Sequence, residues 1–411
     1  MFNTLLRRMP RAVWLIFYLL VNLGFYLLIS ETQLLYGETH VVPLLSGTPV
    51  GWIFLSLAAS YIAFNVVLFR WFSRIGVPRL KGASDEERSS RIIGRVLAVL
   101  QVLFVVFFLA TGTYVAGSST RDSSLLSYLW VLLPVDVLFY VYYGIYRDTK
   151  YFKINVVIWL ISNFIRGWSG VLLTVIFFES CRLIRRGALK FHHVVLALVG
   201  LFVGYPILYF GKLYIRYFAF HANGDDGFST MMNAISGDGT LGIIGIALTQ
   251  VFQRFQLMSS AVALYLIGPA MHDQVMQGSV YPMWLEGIHG IALDKVLGNA
   301  PALSLGQAVA QYLDPVSLDV NWNVNPTFIG WFSVVPEWSL WNCLYAILLC
   351  AMSVCFAKLM SRRVEAMDMV WYAWLVLLIP GWYGAFFLFV YALGLMVLAH
   401  LAIDLTWRKT K

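Results

Sequence analysis

Apolar residues fall in blocks of about 20, the length of helix that crosses the hydrocarbon core of a bilayer, and short polar connections separate the blocks. Read in order, they place spans near 13–30, 49–70, 93–117 and 125–146. The apolar stretch 153–181 carries "RGWSG" at its centre, which predicts two short helices turning at Gly167 and Gly170. A further span covers about 192–212, another covers 338–360, and the region Met367–Thr406 breaks at "PGWYG" (380–384) into two more passes. Between them, from Lys212 to Glu337, lies a long stretch of mixed polarity. The pattern predicts an all-α fold: a polytopic helical bundle of about ten transmembrane helices, one membrane domain over 1–411, with a large helical insert at 213–337.

The basic residues orient this bundle. Of the 29 Lys and Arg, 23 sit in the short connections and termini that alternate spans would place on one side, the positive-inside pattern. Both termini are therefore expected in the cytoplasm and the insert in the periplasm. Composition agrees, with 60% hydrophobic and 12% charged residues and a mean hydropathy of +0.75. The excess of positive charge is used up by orientation, so no nucleic-acid stripe remains. The first span lacks a small-x-small cleavage pattern and is expected to stay as an anchor. The insert's own apolar run at 242–268 would leave Arg254 near mid-bilayer if it crossed once, at roughly 2.5–3.5 kcal/mol. A single crossing would also invert the basic end of the following span. Its polar positions Thr249, Gln250, Gln253, Arg254, Gln256 and Ser260 predict instead an amphipathic helix lying on the membrane or roofing a cavity.

All four cysteines fall in spans or at their ends, and the insert has none, so no disulfide framework is expected. There is no phosphate-binding Gly-x-x-x-x-Gly-Lys loop, no dinucleotide fingerprint and no His-x-x-x-His pair. Nucleotide coupling, cofactors and a metal site are thus not expected. The candidate chemistry lies in the insert. Its cations are Lys212, Arg216, Arg254 and Lys295; arginine at a membrane surface suits the bidentate binding of a lipid diphosphate, although Lys212 and Arg216 also suit snorkelling at the end of a span. Arg166, at the outward tip of the short hairpin, is of the same kind. His289 follows Glu286 by three residues between Gly287 and Gly290, and either side chain suits a general base for a sugar hydroxyl. Asp136 and Glu179 are intramembrane acids of the sort that line transport paths.

The segment "NVNPTFIGWF" (323–332), just before the return span, is similar to the Asn/Ser-Pro-Thr-hydrophobic-Ile-Gly run at the end of the large loop of bacterial O-antigen and oligosaccharide repeat-unit polymerases, the Wzy proteins. Arg216 followed by Gly227 also fits an Arg, ten residues, Gly pattern of some members, which Arg166 does not reproduce. The layout of many spans with one late external loop resembles that family as well. The resemblance implies a GT-C-like, metal-independent glycosyltransferase of the bacterial inner membrane. It would polymerise undecaprenyl-diphosphate-linked oligosaccharide repeat units into O-antigen or a related surface polysaccharide of lipopolysaccharide biosynthesis. Arg166, Arg216 and Arg254 would bind the diphosphate, and His289 or Glu286 would act as base. Partners implied are the lipid-linked glycans, membrane lipid and a polysaccharide chain-length regulator. An O-antigen ligase shares the loop and donor, and a flippase or other transporter is the reading from a different class.

Overall fold

A computed structural model describes residues 9–80, 86–114, 125–147, 149–168, 170–200, 211, 252–315 and 323–408. The described residues are almost entirely helical, and their one β pairing is an isolated bridge between Val280 and Leu303. Among the described residues six helices are long and apolar enough to cross a membrane: Pro10–Thr39, Val50–Phe72, Glu86–Thr111, Leu126–Tyr146, Pro336–Met360 and Tyr383–Leu405. Their outward faces carry exposed side chains such as Leu20, Leu55, Val106, Leu109, Leu348 and Leu398. Water would penalise such a belt, and lipid does not.

In chain order the helices are α1 (Pro10–Thr32), α2 (Val50–Phe72), α3 (Glu86–Thr111), α4 (Leu125–Leu132), α5 (Val135–Tyr146), α6 (Lys150–Ile165), α7 (Gly170–Arg186) and α8 (Phe191–Val199). The insert adds α9 (Met258–Met276), α10 (Ile288–Leu297), α11 (Leu305–Leu313) and α12 (Gly330–Val334). The chain ends with α13 (Ser339–Met360), α14 (Val364–Ala373), continued by a π-turn over Trp374–Leu378, and α15 (Tyr383–Arg408). Pro134 separates α4 from α5, because a proline ring cannot continue the hydrogen-bond ladder of the helix before it. The α6–α7 hairpin turns where expected: Gly167 takes φ +73°, and the Trp168 amide donates to Asn163 O at 2.8 Å, a left-handed helix stop.

Ion pairs gather at one end of the bundle. Arg11 donates to Asp368 at 2.7 Å, Arg185 grips the same carboxylate, and Glu86 joins Arg79 to Arg363. Lys358 Nζ donates to the carbonyls of Ser73 and Ile75 at 2.8 and 2.6 Å. These are the basic connections of the sequence, drawn together at the end expected to face the cytoplasm.

Of the two expectations for 242–268, a helix lying on the membrane or one roofing a cavity, the first does not hold for the part within α9. Helix α9 is a core element packed against α1, α2 and α12, with Met258, Val262, Leu264 and Met271 fully buried. Gln256 and Ser259, at its start, are bonded internally, while Arg254 and Asp273 remain exposed. Asn22 of α1 accepts from the Leu257 amide at 2.8 Å and donates to Phe255 O at 3.4 Å, capping the chain break where α9 starts. Gln256 accepts from the Ser259 amide at 2.9 Å, and Ser259 accepts from the Tyr36 amide at 3.1 Å. Gly268 and Gly330 let α9 and α12 cross closely, since a Cβ at Gly268 would lie 2.6 Å from Ser333 O and one at Gly330 2.6 Å from Leu264 Cδ1. A large part of the insert is therefore wedged into the bundle.

Candidate active site

Three loops singled out by their glycines and prolines meet beside α13. The first is Trp284–Gly290, which folds back on itself after Pro282, whose carbonyl accepts from the amides of Leu285 and Glu286 at 2.9 and 3.1 Å. Gly287 has φ +134°, a conformation that L side chains rarely adopt, and a Cβ there would stand 3.2 Å from Gly384 Cα. The second is the "NPTFIGW" run and the third the "PGWYG" turn between α14 and α15. The amides of Thr327 and Phe328 donate to Pro380 O and Ile379 O at 2.7 and 2.8 Å. Trp382 Nε1 donates to Asn325 Oδ1 at 2.6 Å, and Trp331 Nε1 to Gly381 O at 3.4 Å. Gly381, at φ +80°, leaves room for this clasp, because a Cβ there would fall 2.6 Å from the Thr327 backbone.

The clasp is buried and lies inside the helical layer. Tyr383, just after the turn, is 5.8 Å from Tyr345 between ring centroids, and Tyr345 lies six residues past Ser339, where α13 starts. At 1.5 Å per residue, that is about 9 Å along the helix from its start. Non-helical backbone at membrane depth is tolerated only where protein buries it or a cavity is lined by it.

Glu286 and His289 are brought to this place together. Glu286 is only 4% exposed, its Oε2 has no hydrogen-bond partner, and backbone groups of Gly384 and Leu305 bond to the carboxyl. Burial pushes its pKa up to about 8, against the smaller opposing pull of those two backbone bonds. His289 Nε2 lies 2.5 Å from Trp284 O. A carbonyl can only accept, so Nε2 carries the proton and Nδ1 is left as an acceptor. That Nδ1 is buried and unpartnered, and the ring rests 4.0 Å from Phe387. The loop thus presents a buried carboxyl whose pKa is raised to about 8 and an imidazole whose Nδ1 has no hydrogen-bond partner, both shielded from bulk water.

The arginines are placed differently. Arg166 is buried and donates to Asp136 at 2.5 Å and to Ser162 O at 3.3 Å, with its guanidinium over the rings of Phe104, Phe108 and Trp168. Asn163 also donates to Asp136, at 3.1 Å. None of these contacts reaches the Glu286–His289 loop. Arg254 is exposed beside Gln253, which packs on the Gly37 turn, and no described carboxylate pairs with it. Arg216, with Lys212, lies outside the described residues. Glu179 receives hydrogen bonds from Arg147 and from Tyr143, the latter at 2.6 Å.

Other acids of the insert are engaged in holding it. Asp294 accepts from Tyr281 OH at 2.5 Å, and Glu337 faces His272 Nε2 at 2.9 Å. Lys295 stands 3.4 Å over the Tyr128 ring, tying α10 to α4. Among the described residues no group of three His, Cys, Asp or Glu side chains is arranged to hold a metal ion. Residues of the site that the sequence did not single out are Asn342 and Tyr345 on α13 and Tyr383 on α15. The signal available was a polar i, i+3 pair inside an otherwise apolar span. Compared with protein-family models, curated proteins and solved structures, the chain matches none.

Proposed function

We propose that this protein is a lipid-donor glycosyltransferase that polymerises undecaprenyl-diphosphate-linked repeat units at the periplasmic face of the bacterial inner membrane. The observation that carries the reading is the pair Glu286 Oε2 and His289 Nδ1, both buried and unpartnered on one glycine-hinged loop. In such a transfer an acceptor hydroxyl oxygen attacks the anomeric carbon of the donor glycan. The new C–O bond forms as the bond from that carbon to the diphosphate breaks, with its electron pair leaving on the diphosphate. The hydroxyl proton passes to Glu286 or His289. A base with a pKa of about 8 is well matched to that task near neutral pH. A place about 9 Å along α13 from its start suits a substrate whose reacting sugar hangs one diphosphate away from a buried lipid chain.

In this reading the exposed Arg254 and Arg216 take the diphosphate charge, and the chain crosses the membrane ten times with both termini in the cytoplasm. Arg166, already paired with Asp136, would reach a diphosphate only by giving up that carboxylate. A second reading, a polysaccharide flippase, is favoured by the pairing of half-buried Asp136 with buried Arg166 and by the helix break at Pro134 beside it, since transporters place broken helices and ion pairs within the bilayer.

Deleting the gene and examining surface polysaccharide on a gel separates the readings. Glycan capped with a single repeat unit supports the polymerase. Lipid-linked polymer that is never transferred supports a ligase, and accumulated untranslocated units support the flippase. Restoring the deletion with Glu286→Gln or His289→Ala tests the base: under this proposal at least one leaves single-unit glycan at normal protein level.

A further inference from the structure

Helix α10 carries large apolar side chains that the described residues leave uncovered. Val296 is 83% exposed, Leu297 62% and Leu293 43%, with Ala292 exposed beside them. At about 100° per residue these four positions fall within one arc of about 140°. Asp294 and Lys295 lie on the other side of the helix, and both are engaged: Asp294 accepts from Tyr281 OH, and Lys295 stands over the Tyr128 ring. The exposed apolar side chains therefore make up a continuous helix face.

Two contacts place α10 on the bundle. His289, in its first turn, rests its ring 4.0 Å from Phe387 of α15, and Lys295 reaches Tyr128 of α4. The six residues between these anchors rise about 9 Å, within the range of about 8–10 Å between two packed helices, so α10 crosses the seam of α15 and α4. The seam continues away from it: Tyr391 OH, one turn past Phe387, donates to Leu132 O, one turn past Tyr128, at 3.0 Å. Further on, Tyr146 OH meets His400 Nε2 at 2.7 Å, and Tyr142 OH donates to Ser90 O, one turn past Glu86. Helix α10 thus lies at the end of the bundle opposite the ion pairs. It crosses about 4–6 Å in from the starts of α4 and α15, at Leu125 and Tyr383. Leu126, Leu129 and Leu132 of α4 are exposed there and belong to a stretch apolar enough to span a bilayer. On α10 itself, His289, Leu293 and Val296 share one stripe at i, i+4 and i+7. The first meets α15, and the others overhang the seam.

The uncovered face continues the apolar belt of the helices it crosses. Four side chains, one of them alanine, also fall well short of the roughly 800 Å² that each partner buries in a stable protein interface. Lys295 at the edge of the face suits a helix in a membrane interface, where a lysine stem lies along apolar surface and its amine turns to the headgroups. We infer that α10 is an interfacial helix, with Ala292, Leu293, Val296 and Leu297 immersed among the phospholipid acyl chains of the leaflet on the insert's side. The placement holds whichever chemistry the Glu286–His289 loop performs. It brings lipid to within about one helical turn of His289, because Leu293 is the next residue on its stripe. The membrane-lying helix that the sequence suggested within 242–268 is found instead at Ile288–Leu297.

The test uses the full-length protein in lipid nanodiscs, with its four cysteines replaced by alanine. Val296→Cys, Leu297→Cys and, as a lipid-facing reference, Leu129→Cys each carry a nitrobenzoxadiazole label. Phospholipids with a nitroxide near the top of the acyl chain quench from inside the leaflet, and iodide quenches from water. The labels at positions 296 and 297 should be quenched by the nitroxide lipid to within about twofold of the Leu129 label and be about fivefold less sensitive to iodide than free dye, as burial about 5–10 Å into the leaflet requires. Iodide sensitivity equal to that of free dye, without quenching by the nitroxide lipid, overturns the inference, because the face then meets water. Shielding from both quenchers, as a protein partner or a second copy would give, overturns it as well. The labelled positions are exposed, so the substitutions leave the packed core intact. Leu293→Cys repeats the measurement if either α10 variant fails to elute as a single species.

Discussion

The clasp between Thr327 and the Pro380–Gly381 turn can be broken by one methyl group. Gly381→Ala places a Cβ 2.6–2.7 Å from the Thr327 N, C and O atoms, all of them backbone. The residue also sits at φ +80°, where a side chain costs about 1–2 kcal/mol. Relieving the overlap adds about 1–3 kcal/mol of overpacking, or forfeits the two clasp hydrogen bonds at about 1 kcal/mol each. The total is about 2–5 kcal/mol. Gly298→Ala is the matched control: φ is +74°, yet nothing lies within 4 Å of the new Cβ, so only the left-handed cost of about 1–2 kcal/mol applies. Unfolding in mixed micelles by added dodecyl sulfate, followed by tryptophan fluorescence, reads the difference. Trp331 and Trp382 both bond across the clasp and report on it directly. The two variants should differ by about 1–3 kcal/mol, roughly 5- to 150-fold in the folding equilibrium. Equal shifts would refute the close approach of the two loops.

Glu286 makes stability depend on pH in a stated direction. Its pKa is raised from 4.5 to about 8, so between these values the folded protein holds a proton that the unfolded chain has released. That contribution is complete below about pH 4.5 and is lost as pH rises through about 8, at about 1.4 kcal/mol per unit. Glu286→Gln should flatten the slope in a denaturation series and exceed wild type in stability above pH 8. If Glu286 is the base, kcat/KM of wild type should rise with pH to a plateau above about 8, and a flat profile would count against it. Arg166→Ala removes a buried partner of Asp136 and should cost about 3 kcal/mol, while Arg166→Met with Asp136→Leu should recover most of it; no recovery would deny the pair. In a cysteine-free background, Arg254→Cys should react with an impermeant maleimide from the periplasmic side and Leu264→Cys should not. Labelling of Leu264→Cys in the native protein would contradict the burial of α9.

Much of the helical layout was legible because its causes are local. Apolar runs, Pro134, Gly167 and the 380–384 turn mark helices and breaks by themselves, and the basic connections predicted which ends of the bundle gather. The position of α9 was hidden for the opposite reason. Gln256 and Ser260 look like part of a water-facing set until Asn22 and Tyr36, more than 220 residues away, are seen to bond the neighbouring Leu257 amide and Ser259 hydroxyl. Arg166 looked available for a diphosphate because its carboxylate partner stands 30 residues earlier on another helix. Glu286 and His289 were visible as a pair. Asn342 and Tyr345 were not, since a polar residue in a span shows its purpose only when its partners, or their lack, are known.

Thr327 and Pro380 are held together by backbone groups alone, and everything from α13 to the π-turn is synthesised between them. During biogenesis the "NPTFIG" segment leaves the ribosome before the turn that will cover it exists, with its amides of Thr327 and Phe328 unspent. The turn between α14 and α15 thus closes this point only after α13 has been made. A nascent chain stopped before residue 380 should remain open at this point and sensitive to proteases that the completed protein resists.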